Sequence, residues 1–385
     1  MKKFVTGFIA LTICASLMCG YCTSPVKAVS TENAENKSSA FSETSDNTYY
    51  SYYLKNKNAQ KPKNGGKARL SEYRASENAG VSFETYKEKE NVLVWSGGNG
   101  YIDVPVKIEK DGNYMLSLSY YMMPSESVSA PEFELYIDGA LPFEECAQIT
   151  VPRNYRDDSY ISEEENDFKT DNRGNDVCPG PVEIFEWSEF ALRDDTGISK
   201  DPFSFYLTAG EHILRLVSLR DPIAIAEISF VNTEEPENYN EYSAKQNGEK
   251  VKSFKKEIEA EKTFCKSDPT LYPTSNKSSA ATTPLDPYAT RFNTLGGSDW
   301  SDPLQSVTWE FTVPSDGFYK IGCRFRQNYV RGVYTAREIK IDGKYPFEEL
   351  KDIRFNYSGK WQIKVLGDKT PYEIYLKAGR HTITM

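Results

Sequence analysis

The chain has 385 residues, enough for two or three domains, and its 39% apolar and 13% aromatic residues are enough to build hydrophobic cores. Its formal net charge of −10 leaves no basic face to neutralise phosphates, so no nucleic-acid partner is expected. An acidic surface suits a neutral ligand or a cation.

The first 28 residues have the pattern of a cleaved signal peptide: a basic start, an apolar run and Val-Lys-Ala at 26–28. We therefore expect a secreted, extracellular protein, with association to the cell surface left open. Cys19 and Cys22 also allow lipidation, which the larger residues around them disfavour. No later stretch approaches the roughly 20 apolar residues of a membrane span, so no transmembrane segment is expected in the mature chain.

Residues 29–68 read as a low-complexity linker. They are rich in Ser, Thr, Asn, Lys and Glu and almost lack aliphatic side chains, so they bury too little surface to offset the entropy of ordering. The tyrosines at 49, 50, 52 and 53 are the exception and are candidates to dock on the first folded module.

Three motifs occur twice in the same order, so the chain contains two copies of one module, called module one and module two. The motifs are Asp-Gly-x-Tyr at 111–114 and 316–319, Ile-Asp-Gly-x-x-Pro-Phe-Glu-Glu at 137–145 and 341–349, and Ala-Gly-x-His at 209–212 and 378–381.

Both modules are built from short alternating runs of apolar and polar residues, such as 101–106 and 307–311, bounded by Asp-Gly, Pro and Gly. Such period-two runs predict antiparallel strands. The predicted fold class is therefore all-β, with two tandem antiparallel β-sandwich domains of the jelly-roll type. The predicted boundaries are 69–235 for module one, 236–253 for a polar linker and 254–385 for module two.

Module one carries an extra segment between its second and third motifs, acidic at 157–167 and continuing as Asn-Arg-Gly-Asn-Asp at 172–176. Long insertions on a sandwich commonly form binding loops, so a ligand-binding role is predicted for this segment. Module one ends with a predicted closing strand at 221–230. Module two stops at Met385 before any counterpart, so truncation of its C-terminal strand is expected.

No arrangement typical of an active site or a zinc site is found. The two histidines, His212 and His381, occupy the same position of the repeat, which indicates a structural role at a turn. The duplicated Glu-Glu pairs follow a tight turn in both copies, so they are poor candidates for a glycosidase dyad, and no enzyme activity is expected. The four cysteines after the signal peptide lack zinc-site spacing, and both a Cys146–Cys178 disulfide and free thiols remain open.

Aromatic side chains near polar ones point to carbohydrate binding, because a sugar's C–H face stacks on Trp or Tyr while its hydroxyls bond to Asp, Asn, Arg and Glu. For each of these residues the alternative is a place in the core. The predicted ligand-binding residues are Trp95, Tyr101, Arg153, Tyr155 and Trp187 in module one, and Trp300, Tyr329, Arg331, Tyr334, Tyr357 and Trp361 in module two.

Module two opens with Ile-Glu-Ala-Glu at 258–261. Alternating carboxylates there fit either a calcium site or a solvated strand face, and both interpretations stay open. Together with the three repeated motifs, this opening resembles the galactose-binding-like β-sandwich modules of carbohydrate-binding families 6 and 35. The resemblance covers most of module two and the three motifs of module one. It implies glycan binding and a calcium ion held by Glu259 and Glu261.

A narrower resemblance comes from Leu-Gly-Gly-Ser-Asp-Trp at 295–300 and from 329–332, 346–350 and 353–357. These segments look like the paired sandwich modules that precede the substrate-binding part of some Gram-positive extracellular solute-binding proteins of sugar ABC transporters. The predicted function is non-catalytic extracellular binding of a glycan or oligosaccharide. The alternative is an N-terminal fragment of such a solute-binding protein, whose modules contact transporter components or the cell surface.

Overall fold

The computed structural model describes residues 47–97, 99–125, 129–199, 201–232, 235–251, 254–329 and 331–385. The predicted signal peptide and the predicted linker up to residue 46 lie outside the described residues. Within the described ranges, no helix is long and apolar enough to cross a membrane.

Module one consists of one α-helix and fourteen strands, with short 3-10 turns at Leu70–Glu72 and Glu144–Ala147. The elements are α1 (Tyr49–Asn56), β1 (Asn64–Lys67), β2 (Arg74–Ala75), β3 (Val81–Tyr86), β4 (Lys89–Trp95), β5 (Tyr101–Ile108), β6 (Gly112–Met122), β7 (Glu132–Ile137), β8 (Ile149–Thr150), β9 (Tyr155–Asp157), β10 (Pro181–Glu183), β11 (Trp187–Ala191), β12 (Ser204–Leu207), β13 (Gly210–Arg220) and β14 (Ile223–Val231).

Two antiparallel sheets of module one pack face to face. One has the order β11-β6-β14-β4-β3, with β1 beside β14 and β12 beside β6, and the other has the order β2-β5-β13-β7-β8. Alternate residues of β6, namely Leu116, Leu118 and Tyr120, point into the shared core, where they meet Val104 and Leu135 of the opposite sheet. The alternation predicted from the sequence therefore becomes the inner and outer faces of a sandwich.

Module two also consists of one α-helix followed by strands, but most of its strands are shorter than those of module one. It has 3-10 turns at Gly297–Asp299 and Glu348–Lys351. Its elements are α2 (Tyr239–Lys245), β15 (Cys265–Lys266), β16 (Pro273–Thr274), β17 (Thr294–Leu295), β18 (Val307–Val313), β19 (Gly317–Tyr319), β20 (Gly322–Phe325), β21 (Tyr334–Arg337), β22 (Lys340–Ile341), β23 (Ile353–Asn356), β24 (Gln362–Val365), β25 (Ile374–Leu376) and β26 (Gly379–Thr384).

The larger sheet of module two has the order β10-β9-β15-β18-β26-β22, and the opposite side of the core is formed by the pairs β19–β25, β20–β24 and β21–β23. In module one, β6 is paired on both sides, with β11 and β12 on one and β14 on the other. Among the described strands of module two, the corresponding β19 pairs only with β25 and β20 only with β24, apart from a single bridge between Phe318 of β19 and Lys250, and this sheet is therefore interrupted. The all-β prediction of two antiparallel sandwiches is confirmed.

Each module begins with a short helix that the sequence analysis assigned to a linker. In module one, the hydroxyls of Tyr49 and Tyr52 accept hydrogen bonds from the backbone N–H groups of β12, at 3.0 and 2.8 Å. In module two, the hydroxyls of Tyr239 and Tyr242 accept from the backbone of residues 373 and 375, both at 2.9 Å. The predicted linkers at 29–68 and 236–253 are therefore wrong over these helices, because both tyrosine pairs pack on the module that follows.

The duplicated Glu-Glu pairs hold these helices in place. Glu145 accepts a hydrogen bond from the backbone N–H of Tyr49 at 2.8 Å. Glu349 accepts from that of Tyr239 at 2.9 Å. A carboxylate at the first N–H of a helix satisfies a donor that has no partner within the helix. This contact accounts for one member of each Glu-Glu pair as a structural group.

The two histidines hold equivalent turns. His212 donates from Nδ1 to Asp138 at 2.6 Å and from Nε2 to the carbonyl of Thr208 at 2.8 Å. His381 makes the same two bonds, with Asp342 and with the carbonyl of residue 377, both at 2.7 Å. Carboxylate and carbonyl oxygens only accept hydrogen bonds, so both bonds of a ring form together only while the imidazole carries two protons. Both nitrogens of each ring are engaged in contacts within the turn.

The extra segment of module one does not project as a free loop. Its strand β9 pairs with β15 through Tyr155 and Lys266, so residues 155–183, called the insert below, extend the larger sheet of module two. Acidic side chains of the insert also pair with basic side chains of module two. The pairs are Asp157–Lys266, Glu163–Lys256 and Asp167–Lys262, each at 2.5 Å, and Asp176–Arg291 at 2.6 Å.

The pair between Asp157 and Lys266 is the buried one, with side chains that are 3% and 0% exposed. Lys266 also donates to the carbonyl of Leu271 at 3.0 Å, and Asp157 accepts from the Thr263 hydroxyl at 3.3 Å. Burial raises the pKa of Asp157 in spite of these hydrogen bonds. A pair this deeply buried costs little only while both members are present, since a lone charge would have no compensation.

The histidine turns should make the stability of the protein decrease with pH. Burial lowers the pKa of His212 and His381. Hydrogen bonds to the backbone carbonyl and to aspartate raise it by a larger amount together, so the net shift is upward from 6.5. Their stabilisation is therefore complete below about pH 6.5 and is lost as pH rises through the folded-state pKa. We expect a D138N/D342N variant to show a flatter dependence of melting temperature on pH between 5 and 9. An unchanged slope would refute this role.

The buried pair between the modules should be far more important than its exposed neighbour. We expect K266M to lower the free energy of unfolding by about 3–5 kcal/mol, because Asp157 is left charged and buried. The matched control K262M removes the partner of Asp167, which is 93% exposed, and should cost less than about 1 kcal/mol. Urea unfolding measures both. Equal losses in the two variants would contradict the proposed role of the buried pair.

Candidate functional site

Trp187 lies on the outer face of the β11-β6-β14-β4-β3 sheet, the face turned away from the core. It packs edge-on against Tyr121, with ring centres 5.5 Å apart, and the Lys89 ammonium group lies 4.3 Å from the centre of its ring. The indole N–H donates to the carbonyl of Lys87 at 3.0 Å. Lys87 is in the β3–β4 turn in a left-handed conformation, with φ of 45°, so the tip of this hairpin contacts the same face as Trp187.

Trp361 occupies the equivalent place in module two. Gly112 and Gly317 begin the corresponding strands β6 and β19, and counting from them places Tyr121 and Arg326 at the same position. Trp187 pairs with Tyr121, while Trp361 directly precedes β24, next in line after the Phe325–Gln362 pair. The guanidinium of Arg326 lies 5.1 Å from the centre of the Trp361 ring. Both modules therefore carry a partly exposed tryptophan with a cation beside its ring.

Three polar atoms at or next to the paired ends of β20 and β24 in module two lack hydrogen-bond partners among the described residues. They are Nε1 of Trp361, Nε2 of Gln362 and Oε1 of Gln327. Buried polar groups in folded proteins are almost always bonded to protein or to water, so orphaned groups indicate missing partners. Two donors and one acceptor are what a hydroxylated ligand or ordered water molecules would satisfy.

Two loops of module two bring most of its predicted site residues to one end. The carbonyl of Gln327 accepts from the backbone N–H of Ser358 at 2.7 Å, and its side chain donates to the carbonyl of Val333 at 3.2 Å. The first bond joins the β20–β21 loop to the β23–β24 loop, and the second lies within the β20–β21 loop. The predicted residues on or beside the two loops are Tyr329, Arg331, Tyr334, Tyr357 and Trp361, and the three tyrosines are 92%, 45% and 36% exposed.

Two predicted ligand-binding residues are instead structural. Trp95 is 3% exposed and belongs to the core of module one, so it cannot stack on a ligand. Arg153 is also 3% exposed, donates to the carbonyl of Ser129 at 2.7 Å and pairs with Glu183. These two predictions are wrong because sequence alternation does not reveal the depth of burial.

Trp300 is partly exposed and packs against the core of module two. Its indole N–H donates to the carbonyl of residue 305 at 3.2 Å, and the guanidinium of Arg337 lies 5.0 Å from the centre of its ring. A role for Trp300 in ligand binding stays a prediction.

The remaining predicted residues of module one are not near Trp187. Tyr101 belongs to β5 in the opposite sheet, and the guanidinium of Arg215 lies 4.1 Å from the centre of its ring while pairing with Asp103. Tyr155 belongs to β9, where it pairs with Glu183 and Lys266. The structure therefore divides the predicted residues of module one among a core, two faces and the insert.

Glu261 is the notable group at the predicted calcium position. Its side chain is buried, its Oε1 has no hydrogen-bond partner among the described residues, and burial together with repulsion by Glu259 and Asp176 raises its pKa to about 8. A bound cation would give Oε1 a partner and remove the cost of the buried charge. No group of three or more His, Cys, Asp or Glu side chains in the described ranges is arranged to hold a metal. The four described cysteines are free thiols.

Sequence reasoning missed Lys89, Arg326, Gln327 and Gln362, which surround the two tryptophans. The signal that could have found them was the repeat itself. Aligning the modules on Gly112 and Gly317 equates Tyr121 with Arg326, but the strand pairing that places Trp187 and Trp361 opposite them appears only in the structure.

No protein-family model matches the chain, and no protein of curated function matches it in sequence. Solved structures similar to it include the C-terminal family 6 carbohydrate-binding module of a marine laminarinase from Zobellia galactanivorans, 11% identical over 43% of this chain and 98% of that one, with a TM-score of 0.25. The family 35 module from Paenibacillus barcinonensis is 11% identical over 43% and 97%, with a TM-score of 0.24. A cycloisomaltooligosaccharide glucanotransferase from a Paenibacillus species is 11% identical over 85% of this chain and 45% of that one, with a TM-score of 0.23. Likenesses at this level assign no function.

Proposed function

We propose that the chain is a non-catalytic, extracellular glycan-binding protein in which each galactose-binding-like module binds carbohydrate beside its outer-face tryptophan. The equivalence of Trp187 and Trp361 carries this proposal. Trp95 is buried in the core, whereas these two are partly exposed at equivalent positions on the outer faces of corresponding sheets. An aromatic ring beside a cation supplies both a stacking surface and hydrogen-bond donors for sugar hydroxyls.

Module two is proposed to be the stronger site. In module one, the indole N–H of Trp187 is already bonded to Lys87, and the hairpin tip contacts the same face. In module two, the indole N–H of Trp361 has no partner among the described residues, and exposed tyrosines lie on the adjacent loops. A ligand there can contact the exposed tyrosines without displacing an existing hydrogen bond of the indole, which favours affinity.

Binding without turnover agrees with the roles of the groups that usually catalyse hydrolysis. Both histidines donate from both ring nitrogens, and Glu145 and Glu349 cap helices. The signal-like start of the sequence supports an extracellular location, where glycans are available. The alternative of a solute-binding-protein fragment that contacts protein or the cell surface becomes the better account if no glycan binds.

Replacing the two tryptophans should weaken binding unequally. We expect W361A to lower affinity for a retained polysaccharide at least about tenfold, a loss of about 1.4 kcal/mol, and W187A to have a smaller effect. Affinity electrophoresis in polysaccharide gels measures both variants. Y288A is the matched control, since Tyr288 is 95% exposed and belongs to neither site. Unchanged migration of W361A would refute the proposed site.

Calcium is proposed to bind at Glu261, with Glu259 as the second carboxylate, because the buried oxygen without a partner fits a cation. Between about pH 4.5 and about pH 8, Glu261 is ionised in the unfolded chain but protonated in the folded chain, because its pKa is raised on folding. Its contribution therefore lowers the free energy of unfolding as the pH rises through this range. We expect calcium to raise the melting temperature at pH 8, and E261Q to remove this response. The control E257Q changes an exposed carboxylate nearby and should keep it. An equal response in both variants would refute the assignment.

A further inference from the structure

A polar cleft lies where the insert of module one crosses the outer face of the larger sheet of module two. The insert contributes Arg156, Tyr160 and Glu163, and the sheet contributes Glu310, Thr312 and Arg380. The cleft has a volume of about 390 Å³, within the range of sites that hold small molecules. Its walls come from both modules, so it exists only because the insert docks. It is called the junction cleft below.

Glu310 is the central group of the junction cleft. It is 7% exposed, and its Oε2 accepts a hydrogen bond from the Tyr160 hydroxyl at 2.8 Å. Its Oε1 has no hydrogen bond among the described residues, and its nearest cationic atom is Nη1 of Arg380 at 3.3 Å. The Arg380 side chain is 70% exposed, so this ion pair is open to solvent on the arginine side. A buried carboxylate oxygen in this condition lacks a donor.

The opposite wall supplies donors and an aromatic surface. Nε of Arg156 donates to the carbonyl of Phe264 at 3.0 Å, and the guanidinium lies 4.4 Å from the centre of the Phe264 ring. The other N–H groups of Arg156 have no partner among the described residues. The carboxylates of Glu164 and Glu186, which also line the cleft, form no ion pair within the described ranges. The junction cleft is therefore lined by hydrogen-bond donors and acceptors that can still bind a ligand.

The chemistry of the lining selects among ligand classes. Four carboxylates would repel phosphate and other anions. Glu163 is paired with Lys256 and Glu310 with Arg380, so two of the four carboxylates are already neutralised and less negative charge is left for a bare divalent cation. Few apolar side chains line the space, which disfavours a hydrophobic ligand. A sugar hydroxyl both donates and accepts, so neighbouring hydroxyls could donate to Glu310 and accept from arginine at the same time.

We infer that the junction cleft is a further carbohydrate site, which binds one end of a neutral oligosaccharide with residues from both modules. The choice of ligand class rests on the proposed function, but the site does not include Trp187 or Trp361. A glycan held at the cleft and at a module face would bind with avidity that neither site supplies alone.

The test separates the cleft from the tryptophan sites. Cellobiose, laminaribiose, maltose and lactose are titrated calorimetrically into the full chain, into W187A/W361A and into that double variant with E310Q or E164Q added. E310Q keeps the size of the side chain and its bond to Tyr160, and E164Q changes an exposed residue, so neither should prevent folding. E165Q is the matched control for E164Q, because Glu165 is exposed beside it but does not line the cleft.

We expect W187A/W361A to retain binding of one disaccharide per chain, with slower hydrogen exchange at 156–164. Adding E310Q should weaken it at least tenfold, E164Q should weaken it measurably, and E165Q should leave it unchanged. Loss of all binding in W187A/W361A would overturn the cleft site while the proposed function stands. Absence of binding to the unmodified chain would overturn the proposed function as well. Protection of 156–164 by glycine but by no disaccharide would overturn the ligand class.

Discussion

The arrangement of the two modules depends on a salt bridge that is closed to solvent. Asp157 belongs to the insert of module one and Lys266 to the edge strand of module two, and both side chains are almost fully buried. Such a pair adds little net stability compared with apolar packing, but it penalises any other seating of the insert, which would leave one charge buried alone. The strand pairing, the three outer ion pairs and the junction cleft all require this seating. Two duplicated sandwiches thereby become one unit with a composite surface.

Much of the fold could be predicted from the sequence because the chain contains the same module twice. The recurrence of Asp138 and Asp342 with their histidine partners predicts equivalent turns, and the alternating runs between them predict strands with one buried face. The helices α1 and α2 could not be predicted in this way, since both are short and polar and gain their stability by docking tyrosines onto the sheet. The sequence analysis predicted only that the tyrosines at 49–53 are candidates to dock on module one.

The candidate site was harder to predict, for two physical reasons. Trp95 and Trp187 look alike in the sequence, but two strands of the same sheet turn one ring into the core and the other outward. The acidic run at 157–167 was interpreted as a binding loop because its partners, Lys256, Lys262 and Lys266, lie in the other module. Charge complementarity between separate segments becomes visible only when the chain is folded. The repeat predicts the scaffold, whereas burial and long-range pairing decide which residues are available to a ligand.

The central claim is that equivalent outer-face tryptophans make this duplicated scaffold a binder of glycans. The most direct measurement is a glycan-array screen of the chain from residue 29 to 385, with and without calcium. The account predicts retention of at least one neutral polysaccharide or oligosaccharide. Retention of none under either condition would contradict it and would favour a role for the modules in contacts with proteins or the cell surface.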